Sequence, residues 1–92
     1  MKVVHINHAP YDIYIGRPSK WENPFKIGVD GTRSEVIKLY EEYVRNNKYL
    51  MESLPELEGK ILGCWCYPKR CHGEVLIKLL DELGKYDLSS LE

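Results

Sequence analysis

The run Lys60-Ile61-Leu62-Gly63-Cys64-Trp65-Cys66 restricts the fold more than any other stretch of this chain. It is nearly all apolar, so a strand here has no face to offer to water and belongs at the centre of a sheet covered on both sides. Two further strands are expected upstream. Lys2 to Asn7 has the β-branched content of a strand, and after an interruption at His8-Ala9-Pro10, Tyr11 to Gly16 alternates in strand fashion. Gly16 to Phe25 contains Pro18 and Pro24, which remove amide donors and bias the residues before them away from helix, so this segment reads as a loop.

Gly28 to Gly31 is turn-like, and Thr32-Arg33-Ser34-Glu35 then matches a capping box, the Thr32 side chain accepting from the Glu35 amide while Glu35 reaches back. The helix that follows carries Val36, Ile37, Tyr40, Tyr43 and Val44 on one broad face and is expected to end near Asn46-Asn47. Tyr49 to Leu57 reads as a short helix or turn broken at Pro55. After a loop at Pro68, Leu76, Leu79, Leu80 and Leu83 line one face of a last helix, expected to stop at Gly84. The order predicts an α/β fold: a small three-stranded sheet, at least partly parallel, covered by two main helices and one short helix. The second and third strands are joined through a helical crossover and are therefore expected to run parallel, with a right-handed connection. A single domain is expected over residues 1–92, with a core at about 2–84 and a polar C-terminal tail over 85–92.

Ligands of such sheets sit beyond the carboxyl ends of the strands. That rule brings Gly16-Arg17 and Cys64-Trp65-Cys66 to one edge and leaves Asn23-Pro24-Phe25 placed to fold over them. Charge narrows the class of ligand. A net charge of −1 argues against general nucleic-acid binding, which relies on a basic surface, but leaves room for a local basic site. No apolar run approaches membrane-spanning length and the first residues do not lead into a signal-peptide core, so a cytoplasmic protein without a membrane partner is expected. A domain this small can use an exposed face for a homodimer, though nothing in the sequence selects one.

Gly63 to Gly73 gathers all three cysteines, His72, Lys69 and Arg70. Three is an odd number, and the Cys64-x-Cys66 pair is too close for an ordinary structural disulfide, so reduced thiols or metal ligands are expected. Cys64, Cys66, Cys71 and His72 are the right types for a tetrahedral zinc site, and a strand would place Cys64 and Cys66 on one face with Trp65 opposite. The Cys-x-Cys spacing is short for such a site, and adjacent Cys71-His72 diverge. A second reading sets Cys71 at a helix N-terminus, where the dipole and nearby Lys69 and Arg70 lower a thiol pKa and His72 can exchange a proton; both are the candidate catalytic residues. The same helix start, with Gly73, would bind a phosphate or carboxylate with no covalent chemistry, which requires only geometry. In the bland alternative Cys64 and Cys66 simply fill the core.

Arg17, at a strand end, can hold a phosphate or carboxylate in its fork or make a surface salt bridge. Trp21 and Phe25 flank Asn23-Pro24 and can stack on a ligand ring or pack as a lid on the domain's own core. Asn23 can read a ligand edge or only hold a turn. Arg33 sits in the first turn of its helix, an electrostatically poor place for a cation, which points to an anionic partner: a ligand or an acidic side chain. Seven tyrosines against one phenylalanine suggest either a shallow ligand cleft or the rim of a small core. His5 reads as a core histidine, His8 as a loop residue, and the Glu41-Glu42 and Asp81-Glu82 pairs as solvated helix faces.

Tyr14-Ile15-Gly16-Arg17, Asn23-Pro24-Phe25, Gly31-Thr32-Arg33, Leu57-x-Gly59-Lys60 and Cys64-Trp65-Cys66-x-Pro68-x-x-Cys71-His72-Gly73 together resemble the family called domain of unknown function 4326, over roughly residues 3 to 83. Glu22 departs from the glycine this family commonly has before Asn-Pro-Phe, and a side chain there can alter the loop or a close ligand approach. More distantly, the strand-end cysteine followed by Cys-His at a helix start is similar to domain of unknown function 488. Both resemblances imply a compact Rossmann-like α/β fold and neither implies a reaction. The expectation for function is binding of a nucleotide-like anionic small molecule at the C-terminal edge of the sheet, by sequestration or with hydrolysis or transfer. Arg17 and the amides near Cys71-His72 would hold the anion while Trp21, Asn23 and Phe25 enclose a ring. The alternative is a zinc-stabilised protein or nucleic-acid interaction module built on the cysteine block.

Overall fold

A computed structural model describes residues 2–66 and 69–91, with side chains described to residue 84. Three strands form one sheet in the order β1-β3-β2: β1 is Lys2–His5, β2 Ile13–Tyr14 and β3 Ile61–Cys64. The apolar run is the central strand, as its composition requires. Both neighbours run parallel to it, Val4 and Tyr14 each standing opposite Gly63 and His5 opposite Cys64. All three carboxyl ends therefore reach the same edge.

The strands are shorter than their sequence patterns. β2 is two residues long, yet its pairing is extended on either side, because the Asp12 amide donates to Ile61 O (2.8 Å) and the Ile15 amide to Gly63 O (2.9 Å). Gly63 is a glycine for a steric reason. A Cβ there would stand 2.6 Å from Tyr11 Cγ and 2.9 Å from Ile6 Cγ2, side chains from the two ends of the β1–β2 connection. Gly63→Val is expected to lower the unfolding free energy by about 1–3 kcal/mol through overpacking, read by urea denaturation. A midpoint equal to that of the wild type would show that both side chains move aside freely.

Helix α1 spans Arg33–Arg45 and begins with the expected capping box, both reciprocal bonds between Thr32 and Glu35 being present. Its buried face is Val36, Ile37, Tyr40 and Val44. A short helix α2, Lys48–Ser53, runs into a 3-10 turn at Leu54–Leu57, where Pro55 occupies an opening position that needs no amide donor. Helix α3 spans Gly73–Leu91 and packs on α1, β1 and the 3-10 turn. It does not stop at Gly84: glycine weakens a helix but ends it only when the chain turns into a left-handed cap, and α3 runs on. The Tyr67-Pro68 part of the expected loop lies outside the described residues. Among the described residues, no helix is long and apolar enough to cross a membrane.

Ile15, Tyr40, Leu54, Leu57, Leu62, Leu76 and Leu79 fill the core between sheet and helices, with Cys64 and Cys71 continuing it toward the carboxyl edge. At the surface, Glu41 ties α1 to α3 through Lys78 (3.0 Å), and Arg45 reaches both Glu41 and Glu82. The Lys78 hydrogen bond, with Arg45 beside it, holds the Glu41 carboxyl below its usual range. These carboxylates are helix-face groups that staple one helix to another.

Candidate functional site

A cavity of about 420 Å³ opens at the carboxyl edge of the sheet, within the size range of small-ligand sites. β2 brings Gly16 and Arg17 to it, β3 brings Cys64, and the approach to α3 brings Cys71 and His72. Asn23 and Phe25 close one side and Arg33, the first residue of α1, stands on another. Cys66 completes the expected group. Two expected residues are elsewhere. Trp21 is only 2% exposed and packs in the core, the lid alternative, and Gly73 is buried at the start of α3 under Val3 and Ile15.

The Asn-Pro-Phe loop is held from inside. Asn23 Oδ1 accepts the Phe25 amide (2.9 Å), making the turn that a residue before proline suggests, while Asn23 Nδ2 donates to Val36 O in α1 (3.1 Å). Arg17 clamps the same loop from outside. Its Nε and Nη2 donate to Asn23 O at 3.1 and 2.5 Å, and Nη2 also donates to Phe25 O at 3.0 Å. The fork, open on the sequence to an anion or to a surface salt bridge, thus faces two backbone carbonyls. Glu22, the departure from the family pattern, turns to Arg17 (3.8 Å) and does not line the cavity.

His72 is also engaged. Its Nε2 lies 2.7 Å from Ile15 O and its ring stands edge-on to Tyr40, whose hydroxyl donates to Trp21 O (2.7 Å). As a neutral imidazole, Nε2–H donates to the Ile15 carbonyl. Burial lowers the His72 pKa, despite the favourable carbonyl, and the Arg17 charge acts in the same direction. His72 therefore fixes the end of β2 and the loop after it against α1 and α3.

Cys71 Sγ lies 3.3 Å from Cys64 Sγ and accepts the Gly73 amide at 3.3 Å. The hydrogen bond shared with Cys64, and then burial, push the Cys71 thiol up, the opposite of the expected thiolate; the Gly73 amide pulls the other way without prevailing. The zinc set fits poorly for a related reason. Cys64, Cys66, Cys71 and His72 all reach the cavity, but His72 Nε2 already meets a carbonyl, and among the described residues no three Cys, His, Asp or Glu side chains converge as metal ligands.

Sequence reasoning missed Lys26, Ile27, Val36, Ile37, Trp65 and Arg70 as lining residues. Trp65 was expected on the face opposite Cys64 and Cys66. β3 ends at Cys64, so strand alternation no longer applies and all three side chains reach the cavity. Trp65 is 56% exposed, its indole N–H donating to Tyr14 Oη (2.9 Å), which in turn donates to Arg17 O (2.7 Å). Val36 and Ile37 were visible only as helix core, and Lys26-Ile27 carried no signal beyond following Phe25. Among the described residues, no tyrosine lines the cavity; Tyr40 is fully buried in the core, while Tyr11 and Tyr49 are exposed.

Four cations line the cavity, Arg17, Lys26, Arg33 and Arg70, and among the described residues no carboxylate does. Arg70 is held by Glu74 and donates to Ser34 Oγ (3.0 Å). Arg33 donates to Arg70 O (2.9 Å), and among the described residues neither Arg33 nor Lys26 has an ion-pair partner.

A parallel three-stranded α/β domain with a cation-lined cleft at its carboxyl edge is the class that fold and site define. The chain belongs to the family described as domain of unknown function (DUF4326), which it matches over residues 2–82. It is 37% identical over 97 residues to uncharacterized protein R718 of Acanthamoeba polyphaga mimivirus, covering 86% of this chain and 74% of that protein. It is 31% identical over 91 residues to an uncharacterized 12.4 kDa protein in the nrdA-td intergenic region of Enterobacteria phage T4, covering 94% of this chain and 82% of that one. No solved structure matches.

Proposed function

We propose that this is a cytoplasmic binding protein for a nucleotide-like anionic small molecule, held at the carboxyl edge of the sheet. The observation that carries the reading is Arg33: a half-buried cation at the positive end of a helix, facing a cavity and, among the described residues, with no acidic partner. A cation in that position is repelled by the helix dipole, and a bound phosphate or carboxylate would relieve the repulsion and accept its free donors. Lys26 adds a second charge on the same cavity. The ring of the ligand would lie against Trp65 and Phe25, the aromatic side chains on the cavity wall, and not against Trp21.

Binding is favoured over chemistry by Cys71 or His72. The thiol is protonated at rest and the imidazole is held by a backbone carbonyl, so neither is poised as nucleophile or base. Thermal unfolding with added nucleoside monophosphates, nucleoside diphosphates and inorganic pyrophosphate tests the assignment. At least one is expected to raise the midpoint, and Arg33→Gln is expected to weaken that ligand tenfold or more while leaving the unliganded midpoint nearly unchanged. No shift with any of them at millimolar concentration, or an Arg33→Gln variant that binds as tightly as wild type, would sink it. Arg17→Ala is the wrong probe, since it releases the loop clamp as well as a charge.

A further inference from the structure

The anion reading leaves the thiols of the cavity wall without a role. Cys64 closes the central strand and Cys71 lies just before α3, at the far end of the loop that joins the two elements, and their sulfurs are 3.3 Å apart. We propose that Cys64 and Cys71 are a reversible oxidation site, a dithiol that hydrogen peroxide converts to a disulfide across the cavity wall. A disulfide bond is about 2.05 Å long, so the sulfurs have roughly 1 Å to travel, within the reach of side-chain rotation. The cavity supplies the approach, because both residues line it although each is nearly closed to the outer surface. The Gly73 amide at the start of α3 points at Cys71 Sγ and stabilises negative charge there, which marks Cys71 as the attacking sulfur.

The chemistry balances with the peroxide alone. The Cys71 thiolate attacks one peroxide oxygen, the O–O bond breaks, and the departing hydroxide takes the thiol proton to become water. Cys71 is then a sulfenic acid. The Cys64 sulfur attacks Cys71 sulfur, the S–S bond forms, and the hydroxyl leaves with the Cys64 proton as a second water. Two thiols lose two electrons and one peroxide is reduced to two waters. At rest the Cys71 thiol is held up by its neighbour and by burial, so the reaction is slower than at an exposed, acidic thiol. Cys66, half-exposed on the same wall, is the competitor.

The proposal stands whether or not the cavity takes an anion. Intact-mass analysis and peptide mapping of the full chain after millimolar hydrogen peroxide test it. The expected product has lost two hydrogens, carries a Cys64–Cys71 cross-link with Cys66 still open to alkylation, and reverts with dithiothreitol. Cys66→Ser is expected to give the same bridge. The bridged chain is expected to unfold at a midpoint several degrees higher, since the cross-link restricts the unfolded state. A product bridged only through Cys66, a Cys66→Ser chain whose two thiols stay reduced or go on to sulfinic acid, or a bridged chain with a lowered midpoint would each overturn it.

Discussion

Asn23→Ala is expected to lower the unfolding free energy by about 2–3 kcal/mol and to abolish ligand-induced stabilisation as well. The residue is 8% exposed, and its side chain meets two backbone groups, the Phe25 amide in the loop and Val36 O in α1. Removing it leaves the amide unsatisfied in a partly buried loop and cuts the direct tie between that loop and α1. The Arg17 clamp depends on Asn23 O and Phe25 O of that loop being in place, so its geometry loosens with the loop. Urea denaturation reads the first effect and thermal shift with pyrophosphate the second. A loss below about 0.5 kcal/mol would show that Arg17 alone suffices to seat the loop.

His72→Ala is expected to lower the unfolding free energy by about 3 kcal/mol, combining a lost ring contact with Tyr40 and an orphaned Ile15 carbonyl. The residue also predicts a pH dependence. Its pKa is lowered on folding, chiefly by burial, so the unfolded chain takes up the proton first as pH falls. The contribution is fully present above the unfolded value of about 6.5 and is lost as pH falls toward the lower folded value, with a slope of at most about 1.4 kcal/mol per pH unit. Glu35 and Glu41, lowered by their own hydrogen bonds, act only near and below the ordinary carboxylate range. Stability measured between about pH 6.5 and 5 is therefore expected to fall in wild type and to be flat in His72→Gln. A wild type that is flat over that interval would remove His72 as a buried neutral group.

Most of the fold is legible in the sequence because its signals are local. The apolar run at Lys60 to Cys66 can only be a covered strand, and Thr32 with Glu35 writes the start of α1 in four residues. Gly84 misled for the opposite reason: a glycine carries the same local signal in a helix interior as at its end, and only the continuing chain distinguishes them. The site was legible as a place and less so as chemistry. Phe25, Arg33 and Cys66 line the cavity, while Trp21, open to either a ligand stack or a lid on the core, packs in the core, and Trp65, expected opposite the two cysteines, lines the cavity with them.

The sequence by itself determined the α/β class, the central strand, the helix start and the edge at which the motifs meet. Apolar pattern, capping residues and the rule that parallel strands share a carboxyl edge act over a few residues or over topology alone. Only the tertiary structure decided which way the polar groups are used. Arg17 faces Asn23 O and Phe25 O, Cys71 faces Cys64, and His72 faces Ile15 O; the first two are set by how the loops fold back and the last by packing across the fold, where burial leaves both groups to satisfy each other. A side chain's type fixes what it can bond, and the partner that folding brings within bonding reach fixes what it does.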